Sequence, residues 1–235
     1  MVIRDWSSDV CSSDLIVIDK DNIWCGANNA VVKWNKNSGT FTTISDPFLG
    51  YTINSIAIDS DGCKWFSCSQ GVCSYNDSLL TKYPILQSDA VQKLMKDNNI
   101  TGLDLVGSVV PTKNGLLLLC QGIYYENNST RYAIFILELS KSSLRTIYFT
   151  KTGEYTEKMI LLVDPWENDV IWGSHMYRMF RMDSNGENFS YCDGISGVRS
   201  IAIDNTGLAW AGMTSGYITS FNPKDNSTVS YKKDT

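Results

Sequence analysis

Short apolar stretches rich in β-branched and aromatic side chains recur along the chain, separated by Gly, Asn, Asp and Ser. Ile56-Ala-Ile58, Val72-Cys-Ser-Tyr75 and Ile218-Thr-Ser-Phe221 are typical. They are too short for helices and are bounded by turn formers, so they read as strands. Only residues 88–99 have helical spacing, which puts Val91, Leu94 and Met95 on one face behind Ser88, a suitable N-cap.

The strand pattern repeats. Residues 16–44, 53–83 and 198–231 align as copies of one unit. Each has an alternating apolar strand ending in Asp (Asp19, Asp59, Asp204), a turn, a strand opening around Trp (Trp24, Trp65, Trp210), a loop, an aromatic strand, an Asn-rich turn and a last strand. A divergent copy around Asp164 and Trp172 covers 159–191, and a copy without the Trp lies between Leu105 and Thr150. Trp24 and Trp65 are 41 residues apart, Trp172 and Trp210 38. A period near 40 residues with four strands per unit predicts propeller blades, not a helical solenoid. The expected fold is all-β: a β-propeller of about five four-stranded antiparallel blades at 16–47, 51–84, 105–150, 158–192 and 198–232, with a partly helical insertion at 85–104. One Trp per repeat at a fixed place suits packing between blades, with Trp24 paired to Trp34 and Trp65 to Tyr75.

Residues 1–15 have no such pattern and lack the basic and apolar regions of a signal peptide. Residues 5–15 resemble the conceptual translation of a sequencing adaptor, so this leader is expected to be non-native. The propeller would then begin at Ile16 without its native N-terminus, as an incomplete arc.

Composition narrows the partners. A net charge of −5 without clustered Lys and Arg gives no reason to expect nucleic acid or an anionic membrane. The run Gly115–Cys120 is far short of a bilayer span. The seven cysteines lack paired C-x-x-C spacing, and with one histidine a structural zinc site is not expected. They read as small buried hydrophobes, or as disulfide partners in an exported protein, with Cys63, Cys68 and Cys73 closest in sequence.

The blade pattern is clearest at Asp59-Ser-Asp-Gly62, Trp65, Gly71-Val72 and Tyr75-Asn76, and again at Asp204-Asn-Thr-Gly207, Trp210, Gly212, Gly216 and Phe221-Asn222. It resembles the two-component-regulator propeller repeat of bacterial extracytoplasmic sensor regions. The resemblance implies a ligand- or protein-binding propeller in a bacterial regulatory receptor, located periplasmically or outside the cell. Streptogramin-lyase-like propellers share much of the same pattern. They would imply a metal-assisted elimination enzyme with a His and a Glu near the channel, and His175 is the one histidine present. A non-catalytic interaction scaffold is the third reading.

Asp59-x-Asp61-Gly62 looks like the start of a calcium loop, but the closing Glu is absent and the flanks are strands, so turn geometry explains it. No catalytic residue, metal ligand or cofactor is assigned. In an up-and-down blade with strands a to d, the a–b and c–d turns share one side, and the b–c and d–a connections share the other. The long segments, Pro84 to Asp104 and an expected b–c loop from Gly122 to Tyr132, both fall on the second side, where long loops favour function. The candidate ligand-binding residues there are Asn28, Asn29, Gln70, Tyr124, Tyr125, His175, Tyr177 and Ser215, with His175 expected in a loop. The ligand would be a small molecule, a glycan or a protein.

Overall fold

The computed structural model describes residues 15–50, 52–68, 70–140, 143–153, 159–167, 169–175 and 178–232. Residues 1–14 of the leader and the candidate Tyr177 lie outside the described residues. Among the described residues, twenty strands form five separate sheets, each a four-stranded antiparallel meander in sequence order. The first contains β1 (Ile16–Asp19), β2 (Asn22–Ala27), β3 (Ala30–Asn35) and β4 (Phe41–Ser45). The second contains β5 (Ile53–Ile58), β6 (Lys64–Cys68), β7 (Gly71–Tyr75) and β8 (Leu80–Tyr83). The third contains β9 (Gly102–Thr112), β10 (Gly115–Glu126), β11 (Ser129–Leu139) and β12 (Leu144–Lys151). The fourth contains β13 (Ile160–Val163), β14 (Val170–His175), β15 (Arg178–Asp183) and β16 (Ser190–Ser196). The fifth contains β17 (Val198–Ile203), β18 (Ala209–Met213), β19 (Tyr217–Asn222) and β20 (Ser227–Lys232). This is the blade architecture of a β-propeller.

Each pair of consecutive sheets shares a core, and strand alternation explains how. In β10, Leu116, Leu118 and Cys120 join Val72 of the second sheet, while Leu117 and Leu119 join Ile171 and Phe180 of the fourth. The continuous apolar run is therefore a strand buried on both faces. Trp24 packs with Ile53 and Phe66 between the first two sheets, and Trp172 with Val198 and Phe221 between the last two. Side-chain bonds link neighbouring first strands as well. Val109 N donates to Ser55 Oγ at 3.3 Å, and Leu161 N donates to Ser108 Oγ at 3.2 Å.

The Trp pairs differ from expectation. Trp24 meets Tyr75 of the next sheet at 5.9 Å, while Trp34 stacks on Phe41 at 6.0 Å. Trp65 meets Tyr83 of its own sheet at 5.5 Å. The register explains this: Trp34 lies opposite Ile23 and Tyr75 opposite Lys64, one residue off the Trp and so on the other face.

The expected loop from Gly122 to Tyr132 is instead the end of a long hairpin. Ile123 to Tyr132 continue the β10–β11 ladder, closed by Asn127 and Asn128 at φ 49 and 59. Two consecutive left-handed residues match a two-residue hairpin turn, and Asn tolerates that conformation. Helix α1 (Asp89–Asp97) forms where the spacing placed it, with Val91 N donating to Ser88 Oγ at 3.3 Å. Leu15, read as the last leader residue, is 8% exposed and belongs to the first core. Cys63, Cys68, Cys73, Cys120 and Cys192 are free thiols. Among the described residues, no helix is long and apolar enough to cross a membrane.

Candidate binding face

The two sides of the arc are built differently. On the a–b side, one carboxylate ties off each of three turns. Asp59 Oδ1 accepts from Asp61 N and Cys63 N, and its Oδ2 accepts from Trp65 Nε1 at 2.8 Å. Asp164 repeats this with Trp166 N, Glu167 N and Trp172 Nε1 at 2.9 Å. Asp204 repeats it with Thr206 N, Leu208 N and Trp210 Nε1 at 2.7 Å. Bonds from Thr206 and the Trp210 indole hold the Asp204 carboxyl down at about 2. The Asp–Trp pair of the repeat is thus a structural clasp, and Asp59 serves turn geometry. In the first sheet Asp19 departs from this: it pairs with Lys64, and Trp24 Nε1 is buried with no hydrogen-bond partner among the described residues.

On the b–c and d–a side, the candidate residues fall at the ends of different sheets. Asn28 and Asn29 form the exposed β2–β3 turn, Gln70 lies exposed before β7, and Ser215 lies exposed in the β18–β19 turn. No described contact joins any two of the candidates. Tyr124 and Tyr125 sit near the hairpin tip on opposite faces. Tyr124 is 5% exposed, packed with Ile100 and Ala133, and the Lys151 ammonium lies 4.4 Å from its ring centre. Tyr125 is 66% exposed. Helix α1 lies against β12 beside this hairpin, and its Met95 packs on the same small core as Tyr124.

A cavity of about 230 Å³ on this side is lined by Asn29, Ser45, Asp46, Pro47 and Gly50. Asp46 accepts from Lys82 Nζ at 2.8 Å and from Phe48 N at 2.8 Å, and the Lys82 bond holds its carboxyl below the usual range. The cavity therefore offers an Asn amide, a Ser hydroxyl and a charge-paired carboxylate.

His175 is not a loop residue. It ends β14, is fully buried, and is enclosed by Phe180, Phe189 and Tyr191. Its Nε2 is 3.3 Å from Tyr191 Oη, and its Nδ1 has no hydrogen-bond partner among the described residues. The Arg178 guanidinium covers the outer face of Tyr191 at 3.8 Å. Burial, aided by Arg178, depresses the imidazole to about 4. Gly173 makes room for this packing: a Cβ there would come within 2.3 Å of the Phe180 ring.

No family model and no curated protein matches the chain. Among solved structures it is similar to the extracellular domain assigned to a one-component system of B. thetaiotaomicron, at 12% identity and TM-score 0.37 over 96% of this chain. The chain spans 42% of that structure's length. It is also similar to the WD40 β-propeller domain of Doa1, at 10% identity and TM-score 0.48, over 92% of this chain and 81% of that one.

One further feature has no signature in the local sequence. A cavity of about 320 Å³ lies between the outer strands of the fourth and fifth sheets, lined by Arg181, Ser190, Asp193, Phe221 and Asn226 among others. Its two walls come from residues 181–193 and 221–226, far apart in sequence, and no local spacing signals it. Arg181 is already engaged there, by Glu167 at 3.1 Å and by the Trp172 ring. Among the described residues, no three His, Cys, Asp or Glu side chains gather as metal ligands.

Proposed function

We propose that this chain is a ligand- or protein-binding propeller whose recognition surface is the b–c and d–a side, and that it serves as the extracytoplasmic sensor region of a bacterial regulatory receptor. The carrying observation is the contrast between the two sides. Three of the a–b turns spend their carboxylates on their own backbone and Trp. The opposite side bears the long hairpin with Tyr125 exposed, the inserted α1 and the cavity beside Asn29. An exposed aromatic beside polar loops is the composition of recognition surfaces. The receptor context rests on the repeat resemblance. The lyase reading gains no support from His175, whose neighbours are aromatic rings and a guanidinium.

A thermal-shift and calorimetric screen against glycans and peptides tests the binding half. Tyr125→Ala and Asn29→Ala should each weaken a hit tenfold or more without changing the far-UV spectrum, which is about 1.4 kcal/mol. A hit insensitive to both but lost with Asp193→Ala would move the site to the larger cavity and sink the proposed face. The native reading frame tests the other half: a transmembrane helix followed by a kinase or DNA-binding segment is expected.

A further inference from the structure

The interface between the first and second sheets and the interface between the fourth and fifth share one plan. The repeat Trp of one sheet meets an aromatic of the next, Trp24 with Tyr75 and Trp172 with Phe221, each at 5.9 Å. A basic side chain lies opposite each Trp in the adjoining strand, Lys33 opposite Trp24 and Arg181 opposite Trp172. Each rests near the ring it opposes, the Lys33 ammonium at 5.3 Å and the Arg181 guanidinium at 5.6 Å from the ring centre.

The facing sheets then differ. In the first interface, Lys33 pairs across to Asp77 Oδ1 at 3.8 Å, and Asp77 stands two residues after Tyr75. Lys64, opposite Tyr75, fills the space alongside: it is 3% exposed, with Nζ 3.1 Å from Asp77 Oδ2. In the other interface, Ala209 lies opposite Phe221, and Pro223 stands two residues after it. A methyl group and a proline ring thus replace a long cation and a carboxylate. The cavity of about 320 Å³ opens here, with Arg181, Phe221 and Pro223 in its walls.

Arg181 is left only partly matched. One Nη donates to the exposed Glu167, but Nε is buried and has no hydrogen-bond partner among the described residues. A buried donor without an acceptor is costly, and a planar guanidinium favours a carboxylate. The carboxylate in the β19–β20 turn is spent elsewhere, since Asp225 Oδ1 accepts from Ser227 N at 2.9 Å. The wall that holds Arg181 also carries the exposed Asp193, while the Ser190 hydroxyl adds a neutral polar group. Both charges act on Cys192 in the same wall, whose thiol burial pushes up to about 12.

We propose that this cavity binds a free α-amino acid with an apolar side chain. Arg181 takes its carboxylate, in the role that Asp77 plays for Lys33; Asp193 takes its ammonium, and its side chain lies against Phe221 and Pro223. The volume is at the lower end of the range for small-molecule sites. The site lies on the side of the c–d turns, away from the recognition surface proposed above, so either can fail without the other.

Calorimetric titration of the chain with L-leucine, L-methionine and L-phenylalanine tests this, each beside its carboxamide and its deaminated acid. At least one amino acid should bind, and its carboxamide should bind about tenfold more weakly or not at all. Arg181→Gln should weaken the amino acid about tenfold. Pro223→Asp should do the same, because it sets a carboxylate beside Arg181 to compete with the ligand's own. Pro223 lies in a surface turn, so this variant decides the matter if Arg181→Gln fails to fold, and far-UV spectra and unfolding midpoints check both. Asp193→Asn should weaken the amino acid and leave its deaminated acid unchanged. The proposal is overturned if none of the three amino acids binds at about 10 mM. Carboxamides that bind as tightly as the acids overturn it too, as does an affinity unchanged by Pro223→Asp. Equal weakening of the amino acid and its deaminated acid by Asp193→Asn would overturn the ammonium's place.

Discussion

His175 is fully buried, Tyr191 is its one hydrogen-bond partner among the described residues, and its pKa lies at about 4. The unfolded chain takes up a proton below about 6.5, whereas the folded state refuses it until about 4. The folded pKa is depressed, so the unfolded state binds more protons in this window and stability falls as the pH drops through it. The loss should reach about 2 kcal/mol between pH 7 and pH 5 and about 3 kcal/mol by pH 4. His175→Phe fills the same aromatic site without a titrating group and removes an unpartnered buried nitrogen. Urea unfolding at the two pH values should show the loss in the parent chain and little or none in the variant. An equal loss in both would place the titrating group elsewhere. Nothing in the sequence marked His175 as buried: it follows Gly173-Ser174 and precedes Met176-Tyr177, a stretch that reads equally as turn or strand end.

The element with the plainest sequence signature is the a–b hairpin with its Asp and Trp. Its period revealed the blades, yet the Asp–Trp bond itself was not legible, because it depends on Trp χ angles and turn geometry. Asp164 shows what the bond contributes. It is 4% exposed, accepts two backbone N–H groups through Oδ1, and anchors the fully buried Trp172 through Oδ2. Asp164→Ala leaves three donors unsatisfied in and beside the core, and should cost about 3 kcal/mol. Asp164→Asn keeps the carbonyl acceptor for the turn and should cost about half as much. Urea midpoints check both, and equal costs would mean that the turn bonds contribute little. The hairpin of β10 and β11 taught the opposite lesson. Ile123, Tyr124, Tyr125, Thr130 and Tyr132 are strand formers, and Asn127-Asn128 is a turn signal. The strand formers and the turn signal are both in the sequence, but spacing alone does not separate a long hairpin from a loop between shorter strands.

At the scale of the whole molecule, each blade is held by its neighbours, and the first sheet has only the second on its packed side. Lys64 of β6 is central to that contact. It is 3% exposed, its Nζ lies 3.1 Å from both Asp19 of the first sheet and Asp77, and it sits 5.2 Å from the Trp24 ring centre. Burial works against its charge, but the Asp77 and Asp19 carboxylates outweigh it and hold the ammonium's pKa raised. Lys64→Met keeps the apolar stem and strands Asp19 without its cation, at a cost of about 2 kcal/mol. If the sheets stack in nearest-neighbour fashion, that loss should appear locally. Hydrogen exchange would then speed up in β1 to β4 and the facing edge of β5, while β9 to β16 keep their protection. Restoring part of the protection by adding Asp19→Asn would assign the effect to the stranded carboxylate. Equal deprotection of all five sheets would refute the nearest-neighbour picture, because it would require the arc to unfold as one cooperative unit.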